Sequence, residues 1–171
     1  PNEIMPENTE QALGDAKKNG DLYETSHDNL CELLGIEGLP LWITHSLEEL
    51  IAGKSWKELN NRFYKNLAFG TGGMRGRTIG GLVTKAERGR SKEGQTPEYA
   101  AVGSNTLNEI TVLRATKALY LYVKEWMAGE GLLEQPRLVV AHDVRHFSRK
   151  FCELVANAWS RMGGYSMIFD G

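Results

Sequence analysis

The residues best suited to chemistry lie in a glycine-rich run, Phe69-Gly-Thr-Gly-Gly-Met-Arg-Gly76. Glycines such as Gly72 and Gly73 let backbone N–H groups approach and turn toward an anion. The Thr71 hydroxyl adds a hydrogen-bond donor, and the Arg75 guanidinium is a planar fork that matches two phosphate oxygens. Residue types and spacing therefore allow a phosphate site in this run, with a purely structural glycine loop as the alternative.

Two established phosphate fingerprints do not fit the run. The Walker pattern needs a lysine after its second glycine, and although Gly76 and Gly81 have the right interval, Leu82 follows them. The dinucleotide pattern G-x-G-x-x-G places Arg75 where its third glycine belongs, and no strand is predicted ahead of it. A nucleotide-binding loop is therefore disfavoured.

A second candidate is the turn His142-Asp-Val-Arg145, which comes after a short apolar run. Open α/β sheets bind ligands at the carboxyl ends of their strands, so Asp143 and Arg145 could face an anion there. Oppositely charged residues two apart in a turn also often pair with each other or cap nearby backbone. The residues alone favour pairing over ligand binding.

Charge is distributed unevenly along a chain whose formal net charge is −2. Residues 1–60 carry 12 acidic against 4 basic residues, whereas residues 61–95 carry 8 basic against 2 acidic ones. A local cationic patch behind an acidic segment suits a small anion better than a long polyanion, which disfavours nucleic acid as a partner. Five cations of the patch are interpreted as a solvated charged loop: Arg77, Lys85, Arg88, Arg90 and Lys92.

The cysteine and apolar patterns disfavour a disulfide-rich, a zinc-binding or a membrane-spanning protein. Cys31 and Cys152 lie far apart, without a CxxC pair or a nearby pair of histidines, so we predict core packing rather than a disulfide or a metal site. The sequence has no signal-peptide core and no apolar run of about 18 residues. We expect a cytoplasmic protein with no membrane partner.

Helical patterns fill the first part of the chain. Residues 9–34 predict a pair of helices, and residues 1–54 together are interpreted as a helical N-terminal leader that packs against the domain. Ser46 and Ser55 each stand three residues before a glutamate, the capping-box form, so we predict that short helices begin there. An apolar stripe at helical spacing then runs over residues 56–67.

Residues 55–171 predict an incomplete α/β domain. Periodicity is lost over residues 69–106, and an irregular stretch of that length is uncommon unless it is functional. The later strand–helix–strand order predicts a right-handed βαβ unit with parallel strands. The elements are a helix over Asn108–Met127, a strand over Leu138–Ala141, a helix from a Ser148 cap to Gly163-Gly164, and a strand over Tyr165–Phe169. The expected fold class is α/β, a partial sheet flanked by helices.

Three segments in order resemble the α-D-phosphohexomutase family, which comprises phosphoglucomutases and phosphomannomutases. The run at 69–76 is similar to the family's N-terminal signature. The stretch Gly103-Ser-Asn-Thr-Leu-Asn-Glu-Ile-Thr-Val112 is similar to the opening of its long helix, and Leu138-Val-Val-Ala-His-Asp-Val-Arg145 to its next strand and turn. The resemblance covers roughly residues 55–171. The run at 69–76 also resembles the signature of those family members that have a long N-terminal leader.

The resemblance implies a fold and an activity. In that family the N-terminal domain is an α/β unit with a mixed sheet, and four domains surround a cationic cleft. The implied enzyme is an isomerase, an intramolecular phosphotransferase that moves a phosphoryl group between positions 1 and 6 of a hexose through a phosphoserine and a bisphosphorylated sugar. Its implied cofactors are Mg²⁺ and, as activator, glucose 1,6-bisphosphate. Its implied partners are a hexose phosphate and the remaining domains of the same polypeptide.

The family roles can be carried onto particular residues of this sequence. Arg75 would stabilise charge on the transferring phosphoryl group. Thr71, Gly72, Gly73, Arg75 and Arg145 would bind the substrate phosphate, and no metal ligand is expected within this chain.

The family's catalytic serine belongs to a Thr-x-Ser-His-Asn-Pro motif, which these 171 residues do not contain, and its Asp-Gly-Asp-x-Asp-Arg metal loop is absent as well. The similar Thr25-Ser-His-Asp-Asn29 precedes the glycine-rich run, lies in a helical pattern and lacks the proline, so it is interpreted as coincidence. We expect the complete protein to be a mutase and this chain alone to be inactive. The alternative is a stand-alone phosphate-binding or regulatory module without catalysis.

Overall fold

The computed structural model describes residues 7–71 and 73–169. Within these ranges it contains seven helices and four short strands, which confirms the mixed α/β class. The chain divides into two units between Leu107 and Asn108. The border predicted at residue 54, between a helical leader and an α/β domain, does not coincide with this division and stays a prediction.

Four helices build most of the first unit, and the pair predicted over residues 9–34 is confirmed. Their apolar side chains, chiefly leucine, form the core, in which Leu30, Leu47, Leu59 and Phe63 are fully buried. The elements of this unit are α1 (Glu7–Asn19), α2 (Glu24–Leu34), α3 (Leu41–Ala52), α4 (Trp56–Phe63), β1 (Phe69–Gly70), β2 (Gly73–Met74) and α5 (Lys85–Arg88).

Helices were predicted to begin at Ser46 and at Ser55, and only the second of these predictions agrees with the structure. The prediction for Ser46 is wrong, because α3 begins at Leu41 and Ser46 lies inside it, fully buried. The Ser46 hydroxyl donates to Glu87 at 3.1 Å and accepts from Thr84 at 3.0 Å, so a tertiary contact rather than a helix start accounts for this serine. Helix α4 does begin after Ser55, although the Ser55 side chain makes no capping hydrogen bond.

The stretch predicted to be irregular, residues 69–106, contains only the β1–β2 hairpin and the one-turn helix α5 within its described residues. A capping box starts α5: the Thr84 hydroxyl accepts from the Glu87 N–H at 3.1 Å, and the Glu87 carboxylate accepts from the Thr84 N–H at 3.3 Å. Because Ser46 bonds to both of these residues, α3 is packed against this stretch.

The second unit is a βαβ unit preceded by a long helix; the helix predicted over Asn108–Met127 is confirmed, and its N-cap is Asn108. Strands β3 and β4 are parallel, with Arg137 beside Tyr165, which confirms the strand pairing expected from the sequence. Trp159 of the intervening helix is almost fully buried, and its indole N–H donates to the Pro136 carbonyl at 3.1 Å. The elements of this unit are α6 (Glu109–Gly129), β3 (Arg137–Val140), α7 (Ser148–Arg161) and β4 (Tyr165–Ile168).

One end of α7 differs from the prediction. Ser148 is not the N-cap, because Phe147 holds that position with a φ of 65°, and the Ser148 hydroxyl instead accepts from the Asp143 N–H at 3.1 Å. The other end agrees with the prediction. Gly163 comes after the helix with a φ of 96°, a left-handed conformation that glycine adopts without strain.

Candidate functional site

The glycine-rich run forms a short antiparallel hairpin. Strands β1 and β2 pair Phe69 with Met74 and Gly70 with Gly73. Gly73 has a φ of 89°, which a residue with a Cβ atom adopts only with strain. Of the predicted ligands, Thr71 is exposed and Gly73 half-buried, whereas Gly72 lies outside the described residues.

The chain after the hairpin is anchored to residues 103–107, part of the second segment that resembles the mutases. The Leu107 N–H donates to the Arg77 carbonyl at 2.9 Å. Gly76 lies so close to this segment that a Cβ atom on it would be 3.0 Å from the Leu107 nitrogen. Two of the three resembling segments are therefore in contact, and this contact fixes the backbone on the C-terminal side of Arg75.

Arg75 is exposed, and its guanidinium forms no hydrogen bond or ion pair with any residue of the described ranges. Two other arginines of the cationic patch differ in this respect. Arg62 is buried between two glutamates, and Arg90 pairs with Glu98 at 2.7 Å. The donors of Arg75 are thus available to solvent or to a ligand.

A buried charge cluster, which we name the Arg62 cluster, consists of Arg62, Glu58 and Glu87. Arg62 donates from Nε to Glu58 at 2.8 Å, from Nη1 to Glu87, and from Nη2 to the Leu82 carbonyl at 2.6 Å. The side chains of Arg62 and Glu87 are each only 1% exposed. Burial opposes the charge of Arg62, but its hydrogen bonds to Glu87 and Glu58 outweigh burial and raise the pKa of Arg62.

Sequence reasoning missed the Arg62 cluster and counted Arg62 among the cations of the patch. One part of it could have been found, because Glu58 and Arg62 are four apart on a helix and such residues share a face. The other part could not, because Glu87 lies 25 positions beyond Arg62. The cluster joins α4 to the segment that carries the candidate site.

The second candidate, at residues 142–145, lies after β3 in the second unit. Arg145 Nε donates to Asp143 Oδ2 at 2.7 Å, and the Arg145 N–H donates to Oδ1 at 3.0 Å. The interpretation of these two residues as a mutual pair is therefore confirmed. The role of Arg145 as a substrate ligand stays a prediction, and Arg75 and Arg145 belong to different units.

We predict that the Asp143 carboxyl titrates well below an ordinary aspartate. The hydrogen bonds from the Arg145 side chain and backbone, together with Ser148, lower the pKa of Asp143 to about 2. Because this pKa lies below that of the unfolded chain, the pair stabilises the fold at neutral pH, and its contribution is lost as the pH falls toward about 2. In Arg145→Ala the pKa of Asp143 should return toward its ordinary range.

Carbon-detected NMR titration of the Asp143 carboxyl measures this change. The matched control is Arg149→Ala, since Arg149 pairs with Glu153 instead and its loss should leave the Asp143 titration unchanged. An Asp143 midpoint that is the same in wild type and Arg145→Ala would contradict the prediction.

The cations interpreted as a solvated loop are mostly exposed. Arg77, Lys85, Arg90 and Lys92 are exposed, and Arg88 is half-buried. The exposure of Arg77 and Lys92 agrees with the solvated interpretation, whereas Arg90 forms an ion pair with Glu98, and Lys85 and Arg88 lie in the helix α5 rather than in a loop.

Neither a metal centre nor a membrane span occurs in the part of the chain that the structure describes. In residues 7–71 and 73–169, no group of three or more histidine, cysteine, aspartate or glutamate side chains is placed to hold a metal ion. No helix over the same ranges combines the length and the apolar character that crossing a bilayer requires. Cys152 is buried, as predicted, whereas Cys31 is half-buried, and both thiols are free.

Comparisons of the chain with models of protein families, with curated proteins and with solved structures find no match. The mutase resemblance therefore rests on the three motif segments. Two of these, at 69–76 and 103–107, meet at the base of the hairpin.

Proposed function

We propose that this chain is the N-terminal part of a sugar-phosphate mutase of the phosphoglucomutase and phosphomannomutase type, which acts on a hexose phosphate. The observation that supports the proposal is the state of Arg75. It is an exposed guanidinium without a partner in the described residues, and it lies between a glycine hairpin and a backbone segment anchored at Gly76. An exposed arginine without a carboxylate partner is better suited to binding a phosphoryl group than to forming a surface ion pair.

The proposed role of Arg75 is to bind and stabilise phosphoryl oxygens. Its planar fork donates two parallel hydrogen bonds, while backbone N–H groups of the hairpin and the Thr71 hydroxyl supply further donors. Donors that are held in place before the substrate arrives stabilise the charge that develops on a transferred phosphoryl group. Arg145 has N–H groups beyond those it gives to Asp143, and it is proposed as a second phosphate ligand.

The proposal assigns the phosphoserine and the Mg²⁺ ligands to segments outside this chain. The serine motif does not occur in the sequence, and the described residues offer no metal cluster. This chain would then supply phosphate binding and charge stabilisation, and it would be inactive alone. The mixed sheet of a phosphohexomutase first domain and a cytoplasmic location belong to the same proposal.

We predict that Arg75→Ala weakens binding of glucose 1,6-bisphosphate roughly 10- to 100-fold, because a hydrogen bond to a charged group contributes about 1.5–3 kcal/mol. Isothermal titration calorimetry measures the affinities. Arg90→Ala is the matched control: it removes the same charge, but Glu98 already occupies that guanidinium, so the affinity should stay near wild type. Equal binding by wild type and Arg75→Ala would remove Arg75 from the site.

Titration with inorganic phosphate separates a mutase from a general phosphate-binding module. A clear preference for the sugar bisphosphate that is lost in Arg75→Ala supports the mutase proposal. Equal affinity for the two ligands favours the module, and binding of neither contradicts both.

A further inference from the structure

The segment Thr25–Asn29 does not present a reactive serine. Ser26 lies in α2 and is fully buried, and its hydroxyl has no hydrogen-bond partner among the described residues. A hydroxyl without solvent access cannot accept a phosphoryl group from a substrate. The two residues after Ser26 take part in a different arrangement.

His27 and Asp28 are aligned with Cys31 on α2. His27 Nδ1 lies 3.0 Å from Asp28 Oδ1, and His27 Nε2 lies 3.7 Å from Cys31 Sγ. The second contact is a consequence of helix geometry, because residues four apart share a face. A thiol, an imidazole and a carboxylate in this order correspond to a nucleophile, its base and the group that orients the base.

Cys31 is partly exposed, and its thiol needs a base. Cys31 is free and half-buried, and the side chain of His27 is 23% exposed. Burial, together with the carboxylates of Asp28 and Glu10, raises the pKa of the Cys31 thiol, and the ammonium of Lys17 opposes them. The thiol is therefore protonated near neutral pH, and attack on an electrophile requires that a neighbour take the proton.

We propose that Cys31 is a site of reversible S-thiolation by a small disulfide such as oxidised glutathione, with His27 as its general base and Asp28 as the residue that positions His27. Cys31 Sγ attacks one sulfur of the disulfide while His27 Nε2 takes the thiol proton. The S–S bond breaks, and the leaving thiolate takes the proton back from His27. One disulfide forms as another breaks, so the small disulfide is the only oxidant required.

The reaction can be measured on the 171-residue chain carrying Cys152→Ser, in which Cys31 is the only thiol. Intact-protein mass spectrometry follows the gain of one glutathionyl group from oxidised glutathione. Adding His27→Gln should slow this reaction about a hundredfold, the lower end of the contribution of a general base. The control His45→Gln replaces an exposed histidine of α3 and should leave the rate unchanged.

Two further measurements distinguish a role of His27 in proton transfer from a purely structural role. In His27→Gln the rate should follow the thiolate alone and rise about tenfold per pH unit below the thiol pKa, whereas the parent should depend on pH less steeply. Asp28→Asn should slow the reaction, and Asp28→Glu, which keeps a carboxylate, should restore most of the rate. An unchanged rate in His27→Gln, in a variant whose circular dichroism matches the parent, would overturn the proposal.

Discussion

Arg62→Met is expected to lower the free energy of unfolding by about 3–5 kcal/mol, the usual cost of removing one partner of a buried ion pair. The substitution leaves the Glu87 carboxylate, whose side chain is 1% exposed, without its cation. The Ser46 hydroxyl and the Val102 N–H still donate to this carboxylate at 3.1 and 3.0 Å. Both are neutral donors, and they cannot balance a buried charge. Urea unfolding followed by circular dichroism measures the loss.

Arg90→Met is the matched control, because it makes the same replacement at an arginine that is paired but 91% exposed. Exposed ion pairs contribute little to stability, so the urea midpoint should barely change. Arg62→Lys keeps the charge but lacks the guanidinium fork, and its stability should lie between those of wild type and Arg62→Met. Equal losses in Arg62→Met and Arg90→Met would show that the buried pair stabilises the fold no more than a surface pair.

The Arg62 cluster also connects stability to the candidate site. The Arg62 carbonyl accepts from the Asn105 N–H at 2.8 Å, and Arg62 Nη1 donates to the Val102 carbonyl at 3.3 Å. Residues 102–105 are thus held from α4, and the segment 103–107 in turn holds the backbone beside Arg75. The conformation of the proposed phosphate loop therefore depends on an ion pair between residues that lie outside the loop.

The capping-box pattern shows how far local sequence determines local structure. Ser46, Ser55 and Thr84 each begin an S/T-x-x-E pattern, but of these three only Thr84 forms the reciprocal pair of hydrogen bonds. Thr84 has the extended backbone of an N-cap, with φ −71° and ψ 162°, whereas Ser46 lies inside α3 and its hydroxyl donates to Glu87. The pattern specifies which bonds are available, and tertiary contacts decide which of them form.

A feature could be predicted from the sequence when the residues that determine it are close together along the chain. The pair α1 and α2, the helices of the second unit and its parallel strands could be predicted because apolar spacing acts over a few turns, whereas the start of α3 and the short helix α5 were not. Arg75 could be singled out because its guanidinium stands in the glycine-rich run at 69–76, where residue types within a few positions already match a phosphate. The contact between Arg62 and Glu87 could not be predicted, because no local rule selects one glutamate among many that lie farther along the chain.

Gly103→Ala is expected to destabilise the protein by about 1–3 kcal/mol, the cost of forcing extra volume into a packed site. A Cβ atom at this position would lie 2.7 Å from the Arg62 carbonyl oxygen and 2.9 Å from the Arg62 Cβ. The carbonyl cannot move away easily, because it accepts from the Asn105 N–H. The φ of Gly103 lies outside the left-handed region, so the loss would be steric rather than conformational.

Gly14→Ala is the matched control for Gly103→Ala, because Gly14 lies within α1 and a Cβ atom added to it would meet no described atom within 4 Å. Alanine in a helix interior should raise the free energy of unfolding there by about 0.5–1 kcal/mol, so one substitution is expected to act with opposite signs at two sites. Urea unfolding of both variants tests this. A neutral or stabilising Gly103→Ala would mean that the Arg62 backbone yields, and residues 103–107 could then not be the fixed anchor that holds Arg75 in place.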